Sequence, residues 1–525
     1  MEKSTTKYIF VTGGVASGLG KGITAASLGR LLKARGYKIT NQKFDPYINI
    51  DPSNMSPIQH GEVFVTDDGA ECDLDVGHYE RFTDENLTVN SNITAGKIYH
   101  TVLEKERRGE YEGKTVQVIP HITDYIKSLI DKVARSGADD VVITEIGGTV
   151  GDMESRPFIE AIRQMIFDAG RENVLYIHVT LLPTLGKDGE IKTKPTQHSV
   201  KELLSMGIQP DMIVCRTGSS LTKEIRSKIA LYCNVAEDCV IENIDCDSLY
   251  QVPLLLEAEN FAAKALSRLG LSERVPDLSD WQAILAKEKS ITGVTKISLV
   301  GKYTALQDAY LSIIEALKAA GLANATDVQI NWVPAESLEN GDFSALKDSD
   351  GILIGGGFGE RGISGKIAAA SYARTNKIPC LGIGLGMQAM AIEFAQNVLN
   401  HNNAHSTEFD ENTPHPIVHN RAGTMRLGSY PCKLTKPSLA HTIYNQDFAE
   451  ERHRHRYELN TAYKEAFAEA GLSFSGTSPD ALFLEILELD SAMHPFYLGT
   501  LFNPQFKSRP NMPHPIFTAF VKACL

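Results

Sequence analysis

A run of glycines between a strand-like segment and a helical one constrains this chain more than any other feature. Lys7-Tyr-Ile-Phe-Val-Thr12 is short, apolar and β-rich. Gly13-Gly-Val-Ala-Ser17-Gly18-Leu19-Gly20-Lys21-Gly22 follows it, and a helical pattern runs from Thr24 to Arg35. Strand, glycine loop and helix in that order open a parallel α/β sheet. Glycines let successive N–H groups turn toward an anion, the helix N-terminus adds positive potential, and Lys21 adds a point charge. The loop reads as a phosphate site; the plain alternative is a glycine-rich turn. It departs from the pattern GxxxxGK followed by Ser or Thr. Its leading glycine comes one place early, and Gly22 stands where a hydroxyl would hold magnesium. The metal then needs another ligand.

A second segment begins the same way. Thr295-Lys-Ile-Ser-Leu-Val-Gly301 is a short apolar run that leads into a helical stretch near Ala309 to Ala319. Between the two lies Leu269 to Thr292, with Pro276, Ser279 and mixed charges, which reads as a helical linker. The expected organisation is one domain over 1–270, a linker over 271–294 and a second domain over 295–525. Both domains are expected to be α/β with parallel sheets. A length of 525 residues suits two or three domains, and 42% apolar residues suffice for large cores. The net charge of −13 argues against a nucleic-acid surface but leaves room for a basic pocket. None of the eight cysteines forms a CxxC pair, so neither zinc nor a disulfide framework is indicated. No apolar stretch is long enough for a bilayer span or a signal-peptide core. The expectation is a reduced cytoplasmic protein with no nucleic-acid or membrane partner.

Candidate metal ligands follow the loop. Asp73 and Asp75, in Glu71-Cys-Asp-Leu-Asp75, alternate as a strand or loop would, which would turn both carboxylates to one side. Glu145 follows the buried-strand pattern Val141-Val-Ile-Thr144, and a carboxylate at the C-terminal end of a parallel strand sits where such sheets bind ligands. Each alone is more often a solvated or capping residue. Next to a phosphate loop they read as a metal site. Lys192-Thr193-Lys194-Pro195-Thr196-Gln197-His198 gathers two lysines, two hydroxyls and an amide around one proline. That composition suits a second polyanion, and equally an exposed loop.

Several longer runs resemble the CTP synthase family. They are Lys43-Phe-Asp-Pro-Tyr-Ile-Asn49, Ser56-Pro-Ile-Gln-His-Gly-Glu-Val-Phe-Val65, Gly77-His-Tyr-Glu-Arg-Phe82, Lys105-Glu-Arg-Arg-Gly109, Val116-Gln-Val-Ile-Pro-His-Ile122 and Glu145-Ile-Gly-Gly-Thr-Val-Gly-Asp152. The resemblance covers nearly the whole chain. It implies an N-terminal amidoligase domain related to dethiobiotin synthetase and a C-terminal, flavodoxin-like class I glutamine amidotransferase domain. It implies that Ser17, Gly18, Leu19, Gly20, Lys21 and Gly22 hold the ATP phosphates. Lys21 and Lys43 would neutralise the transferring phosphoryl group, and Asp75 and Glu145 would bind Mg2+. UTP would be received by Ser17, Lys192 to Gln197 and Lys228, with Asp152, Met153 and Glu154 near the nucleotide used in CTP feedback. The implied reaction phosphorylates O4 of the uracil ring and then places nitrogen on C4. A homotetramer, with filaments, is the implied assembly.

The second half keeps the family's frame and lacks its chemistry. Leu381-Gly-Ile-Gly384-Leu-Gly-Met-Gln388 resembles the nucleophile elbow of class I amidotransferases, with Gly384 in the cysteine's place. Leu501-Phe-Asn503-Pro-Gln505-Phe506 resembles the segment carrying the histidine and glutamate, here Asn503 and Gln505. Glycine has no nucleophile, and neither amide is a base near neutral pH. Gly355 to Gly362 resembles the oxyanion loop, and Gly357, Gln388, Glu408 and Arg456 fall on segments near the glutamine pocket. They form a candidate residual amino-acid pocket. The stretch Asp410 to Ala422 is shorter than in the family, where it serves GTP activation, which counts against GTP dependence. Cys380, about 13 Å along the strand from Gly384, reads as a packing cysteine. The expectation is a ligase that makes CTP from UTP with free ammonia, or an N4-substituted CTP with another amine, but not from glutamine. The competing expectation is a non-catalytic regulatory or filament partner of an active CTP synthase.

Overall fold

The computed structural model describes residues 6–16, 18–137, 139–185, 190–420, 423 and 425–525. Its contacts fall into two compact units. The first comprises Met1–Asn54 and Cys72–Leu285; the second comprises Met55–Glu71 and Ala286–Leu525. The helix Ser279–Ser290 begins inside the first unit, where Trp281 is buried and its indole N–H donates to Tyr250 O at 2.6 Å.

The first unit is built on seven strands: β1 (Lys7–Gly13), β2 (Ile39–Asp45), β3 (Asn92–Thr94), β4 (Val141–Ile146), β5 (Val174–Leu182), β6 (Met212–Thr217) and β7 (Val240–Ile244). They run in the order β7-β6-β5-β1-β4-β2-β3, every pair parallel. Strands such as Val141-Val-Ile-Thr-Glu-Ile146 are buried along their whole length because helices cover both faces. The order reverses around β1. Chain growth moves to one side through β2 and β3, then crosses to the other through β5, β6 and β7. The crevice at the C-terminal ends of β1, β4 and β5 is therefore the switch point at which open α/β sheets bind ligands.

The second unit holds a nine-stranded mixed sheet. Its parallel part contains β8 (Gly293–Gly301), β9 (Thr326–Pro334), β10 (Gly351–Ile354), β11 (Cys380–Ile383) and β16 (Tyr497–Thr500), in the order β9-β8-β10-β11-β16. Beyond β16, the sheet continues antiparallel through β15 (Leu484–Leu489), β14 (Leu472–Thr477), β12 (Arg426–Leu434) and β13 (Phe448–His455). Met55–Glu71 packs within this unit although it lies early in the chain. Ser312 N–H donates to Glu62 Oε2 at 2.9 Å, and Arg452 Nε reaches Asp67 Oδ1 at 2.6 Å. Among the described residues, no helix is long and apolar enough to cross a membrane.

Candidate functional site

The glycine loop needs its glycines for backbone reasons. Gly18 and Gly20 have φ of 71° and 86°, and Gly20 precedes helix α1 (Lys21–Lys33) in the left-handed region. Ser17 lies outside the described residues. Leu19 is buried, and Arg216, at the end of β6, donates to Gly18 O at 3.2 Å. Sequence reasoning did not single out Arg216, because nothing local to β6 marks it as facing the loop.

Lys43 is the hub of the crevice. Strand pairing sets it opposite Glu145. Its Nζ is ion-paired with Asp75 and lies 3.0 Å from Glu145 Oε1, 3.9 Å from Asp45 Oδ1 and 4.0 Å from Asp73 Oδ1. Burial alone would strip its proton, but Asp75, Glu145, Asp73 and Asp45 together hold its pKa well above the usual lysine range. The carboxylates divide in response. Burial pushes Asp75 up, yet Lys43 outweighs it and brings the pKa down to about 2. Burial raises Asp45 to about 6, and burial with the Asp45 charge raises Asp73 well above the carboxylate range. Burial also lowers Lys21, whose Nζ donates to Gly148 O at 2.7 Å. The Tyr79 hydroxyl donates to Glu145.

Asp73 and Asp75 do not alternate along a strand. Asp73 caps helix α2 (Leu74–Thr83), its carboxylate accepting from Asp75 N–H at 3.0 Å, and Asp75 sits in the first turn. The cap, rather than a pleat, turns both carboxylates to Lys43. Gly22 explains itself here. A Cβ on Gly22 would overlap Asp75 Oδ1 and lie 2.7 Å from Asp75 Cγ, so a carboxylate fills the space of the missing hydroxyl. Among the described residues, no group of three or more His, Cys, Asp and Glu side chains is arranged to hold a metal alone. Asp75 and Glu145 nevertheless fit magnesium, which takes one or two carboxylates and completes its shell with water and phosphate oxygens.

The stretch Lys192 to Gln197 is only in part a loop. Thr193 precedes helix α3 (Lys194–Ser205), with Pro195 in its first turn. Gln197 Nε2 donates to Thr193 Oγ1 at 3.1 Å, and Thr196 Oγ1 donates to Thr180 Oγ1 at 3.1 Å. Lys192 pairs with Glu190 at 2.5 Å. Exposed Lys228, on helix Lys223–Cys233, lies within electrostatic reach of the same carboxylate. Asp152, Met153 and Glu154 are exposed beyond β4, and Asp152 Oδ2 accepts from Thr149 N–H at 2.8 Å.

In the second unit, Gly384 joins β11 to helix α5 (Leu385–Asn397); helix α4 (Ile363–Asn376) precedes both. Its φ of 56° and ψ of −113° form a sharp strand-to-helix elbow, and its N–H donates to Thr500 O at 2.7 Å. An added Cβ would meet nothing nearer than Gly356 Cα at 3.9 Å. Space for a side chain remains, and only conformation opposes one. Gly384→Ala is expected to destabilise the second unit by about 1–3 kcal/mol, read as a lower urea midpoint with unchanged slope.

Asn503 and Gln505 follow β16, and Gln505 Nε2 donates to Asn503 Oδ1 at 3.1 Å. In a histidine–carboxylate pair the donation runs the other way, from ring N–H to carboxylate. The amide pair keeps the contact and reverses its polarity. The loop after β10 is fastened by two lysines. Lys366 of α4 donates to Gly355 O and to Gly356 O at 2.9 Å; Lys302 donates to Gly359 O and to Phe358 O at 2.7 Å. Burial lowers Lys366 far below the usual lysine range and brings Lys302 to about 8. Gly357 has φ 145°, and Glu408 Oε1 accepts from Gly359 N–H at 2.7 Å. Gln388 Nε2 donates to Tyr457 O at 3.1 Å while its buried Oε1 has no hydrogen-bond partner; Arg456 is exposed. Cys380 is fully buried, and burial pushes its thiol up, so it supplies no substitute nucleophile. The stretch from Asp410 reaches residues 421 and 422, which lie outside the described residues.

Residues 7–271 match the family described as CTP synthase N-terminus, and residues 305–523 match glutamine amidotransferase class-I. A CTP synthase of Caldanaerobacter subterraneus subsp. tengcongensis is 59% identical over 99% of this chain and 98% of that protein. A CTP synthase of Ruminiclostridium cellulolyticum is 57% identical over 99% and 98%. Among solved structures, the glutaminase domain of Trypanosoma brucei CTPS with bound acivicin is 35% identical, covers 44% of this chain and 93% of that one, and superposes with a TM-score of 0.42.

Proposed function

The chain belongs to the CTP synthase family, and from that premise we propose that it makes CTP from UTP with free ammonia, or an N4-substituted CTP with a small amine, and not with glutamine. ATP and Mg2+ are its proposed co-substrate and cofactor. The family activity, conversion of UTP to CTP by an ATP-dependent ligase, is the starting point. The nitrogen donor is what this sequence changes. One observation carries the reading: Gly384 stands at the elbow, and the side-chain amides of Asn503 and Gln505 are hydrogen-bonded to each other in a pair that holds no base.

Each step has residues to serve it. The glycine loop and Lys21 would seat the ATP phosphates. The γ-phosphoryl group passes to O4 of the uracil ring and leaves ADP, which turns a poor leaving group into phosphate. Lys21 and Lys43 would offset the charge spread over the phosphoryl oxygens. Asp75 and Glu145 would hold magnesium, which would supply charge neutralisation at the transferring phosphoryl group. Ammonia then attacks C4, inorganic phosphate departs, and one proton is lost from the added nitrogen and one from ring N3, which leaves the C4=N3 double bond of the cytosine. Lys192 to Gln197 and Lys228 would hold the UTP phosphates, with Asp152, Met153 and Glu154 near the CTP feedback nucleotide. A homotetramer in the cytoplasm is the proposed form; the eight free cysteines suit that compartment.

The test supplies UTP and Mg-ATP with either ammonium or L-glutamine and follows product mass. Turnover is expected with ammonium, rising with pH as the neutral amine increases, and none with glutamine. CTP formed from glutamine would defeat the reading; no product with any amine would favour the regulatory partner. Lys21→Ala is expected to abolish ATP-dependent product formation while the fold persists. An unchanged rate would remove that lysine from the reaction.

A further inference from the structure

His178 is fully buried in the first unit and is used by none of the steps above. It lies on β5, directly beside β1, where register sets it opposite Thr12. Its Nδ1 is 2.8 Å from Thr12 Oγ1, and its Nε2 is 2.7 Å from Ser199 Oγ on α3. Thr12 is two residues before Gly14 in the glycine loop. Ser199 is one turn after Lys194 to Gln197. A polar bridge thus spans from the root of the first phosphate loop to the helix that carries the second candidate polyanion site.

The bridge is also tight. A Cβ on Gly14 would run into the Ser199 hydroxyl and lie 2.8 Å from Ser199 Cβ and 3.4 Å from His178 Nε2. The loop and α3 therefore touch with no intervening side chain. Thr180, on the same face of β5 as His178, holds α3 a second time through Thr196. A displacement of the Gly13–Gly14 backbone must move Ser199, or break its bond to His178. Burial, with Lys21 nearby, brings the His178 pKa down to about 3, so the imidazole stays neutral and can donate at one nitrogen and accept at the other. Among the described residues, Lys21 on α1 is the charged group that adds to the effect of burial on His178.

We propose that His178 is a positioning residue that couples the two nucleotide sites, so that filling the glycine loop with ATP phosphates orders α3 for the UTP triphosphate. The inference rests on the site assignment proposed above. Coupling of this kind is reciprocal: each nucleotide tightens the other by the same factor.

The experiment is calorimetric titration of UTP into the full chain, with and without Mg2+ and a non-hydrolysable ATP analogue. The unsubstituted chain is expected to bind UTP at least about fivefold more tightly with the analogue present. Ser199→Ala and Thr12→Val, which cut the bridge at opposite ends, are expected to bring that ratio to within about twofold of unity. Thr12→Ser keeps the hydroxyl and is expected to keep the ratio. A merely structural role would lower the melting temperature, or weaken both nucleotides together, without moving the ratio. The proposal is overturned if the folded Ser199→Ala or Thr12→Val chain keeps the full ratio, or if the unsubstituted chain shows none. If the unsubstituted chain binds neither nucleotide, the functional reading fails first, and that result is distinct from a ratio of one.

Discussion

Restoring three side chains together, Gly384→Cys, Asn503→His and Gln505→Glu, is expected to yield a chain that releases ammonia and glutamate from L-glutamine. The backbone for the reaction is in place. The elbow at Gly384 keeps a φ of 56° and ψ of −113°, and a side chain there has open space, with Gly356 Cα 3.9 Å from the added Cβ. Asn503 and Gln505 already touch at 3.1 Å, so a histidine and a carboxylate would inherit a working contact. The loop after β10 is held by Lys366 and Lys302. Members of such a catalytic unit are strongly non-additive: losing the nucleophile or the histidine alone costs about as much as losing all three, roughly 10⁶-fold in the measured protease case. Each single substitution should therefore leave glutamate release at background, and the triple variant alone should rise above it. Glutamate measured with a coupled dehydrogenase decides the matter. Background rates from a folded triple variant would show that more than three side chains has been lost. The new cysteine must also accept the strained backbone, so a drop in stability comparable to that of Gly384→Ala should accompany the gain.

Gly22→Ser should have the opposite character: a substitution toward the commoner phosphate-loop sequence that removes activity. The serine Cβ would lie 2.7 Å from Asp75 Cγ and overlap its carboxylate. Asp75 cannot retreat freely, because it is ion-paired with Lys43, which also holds Glu145 at 3.0 Å. Moving it disturbs both proposed magnesium ligands and the buried lysine at once. Removing one partner from a buried charge cluster typically costs about 3–5 kcal/mol. CTP formation with ammonium is expected to fall by at least about a hundredfold, the range that misplaced reacting groups produce. Asp75→Ala should cost less stability in the Gly22→Ser background than in the unsubstituted chain, since it also removes the overlap. That sign of coupling is a direct reading of contact between the two positions. A Gly22→Ser chain with normal rates would show that Asp75 does not occupy the hydroxyl's space in solution.

How far the sequence reveals this depends on whether a property is local. The phosphate loop is legible because Gly18 and Gly20 need left-handed backbone, and because a β-rich run and a helix flank them. Glu145 is legible because a buried parallel strand fixes where its last residues project. The elbow is legible because Gly384, Asn503 and Gln505 sit inside runs that otherwise resemble the amidotransferase family. Asp73 and Asp75 misled, since two-residue alternation looks alike in a strand and across a helix cap. Arg216 and His178 were missed for another reason. One reaches Gly18 from across the sheet, and the other acts through Ser199; neither partner lies near it in sequence. The antiparallel extension of the second sheet was likewise invisible, because strand order is decided by pairing between distant segments, such as β12 with β14, and not by periodicity within either.

Met55–Glu71 leaves its neighbours in sequence and folds with residues hundreds of positions later, its Glu62 and Asp67 bonded to Ser312 and Arg452. No single cut in the gene can therefore separate the two units cleanly. A truncation ending near Leu285 would strand this excursion without the surface it packs on. The second unit would thus be retained as a folding companion whatever its chemistry, its loss barred by the way the polypeptide is threaded.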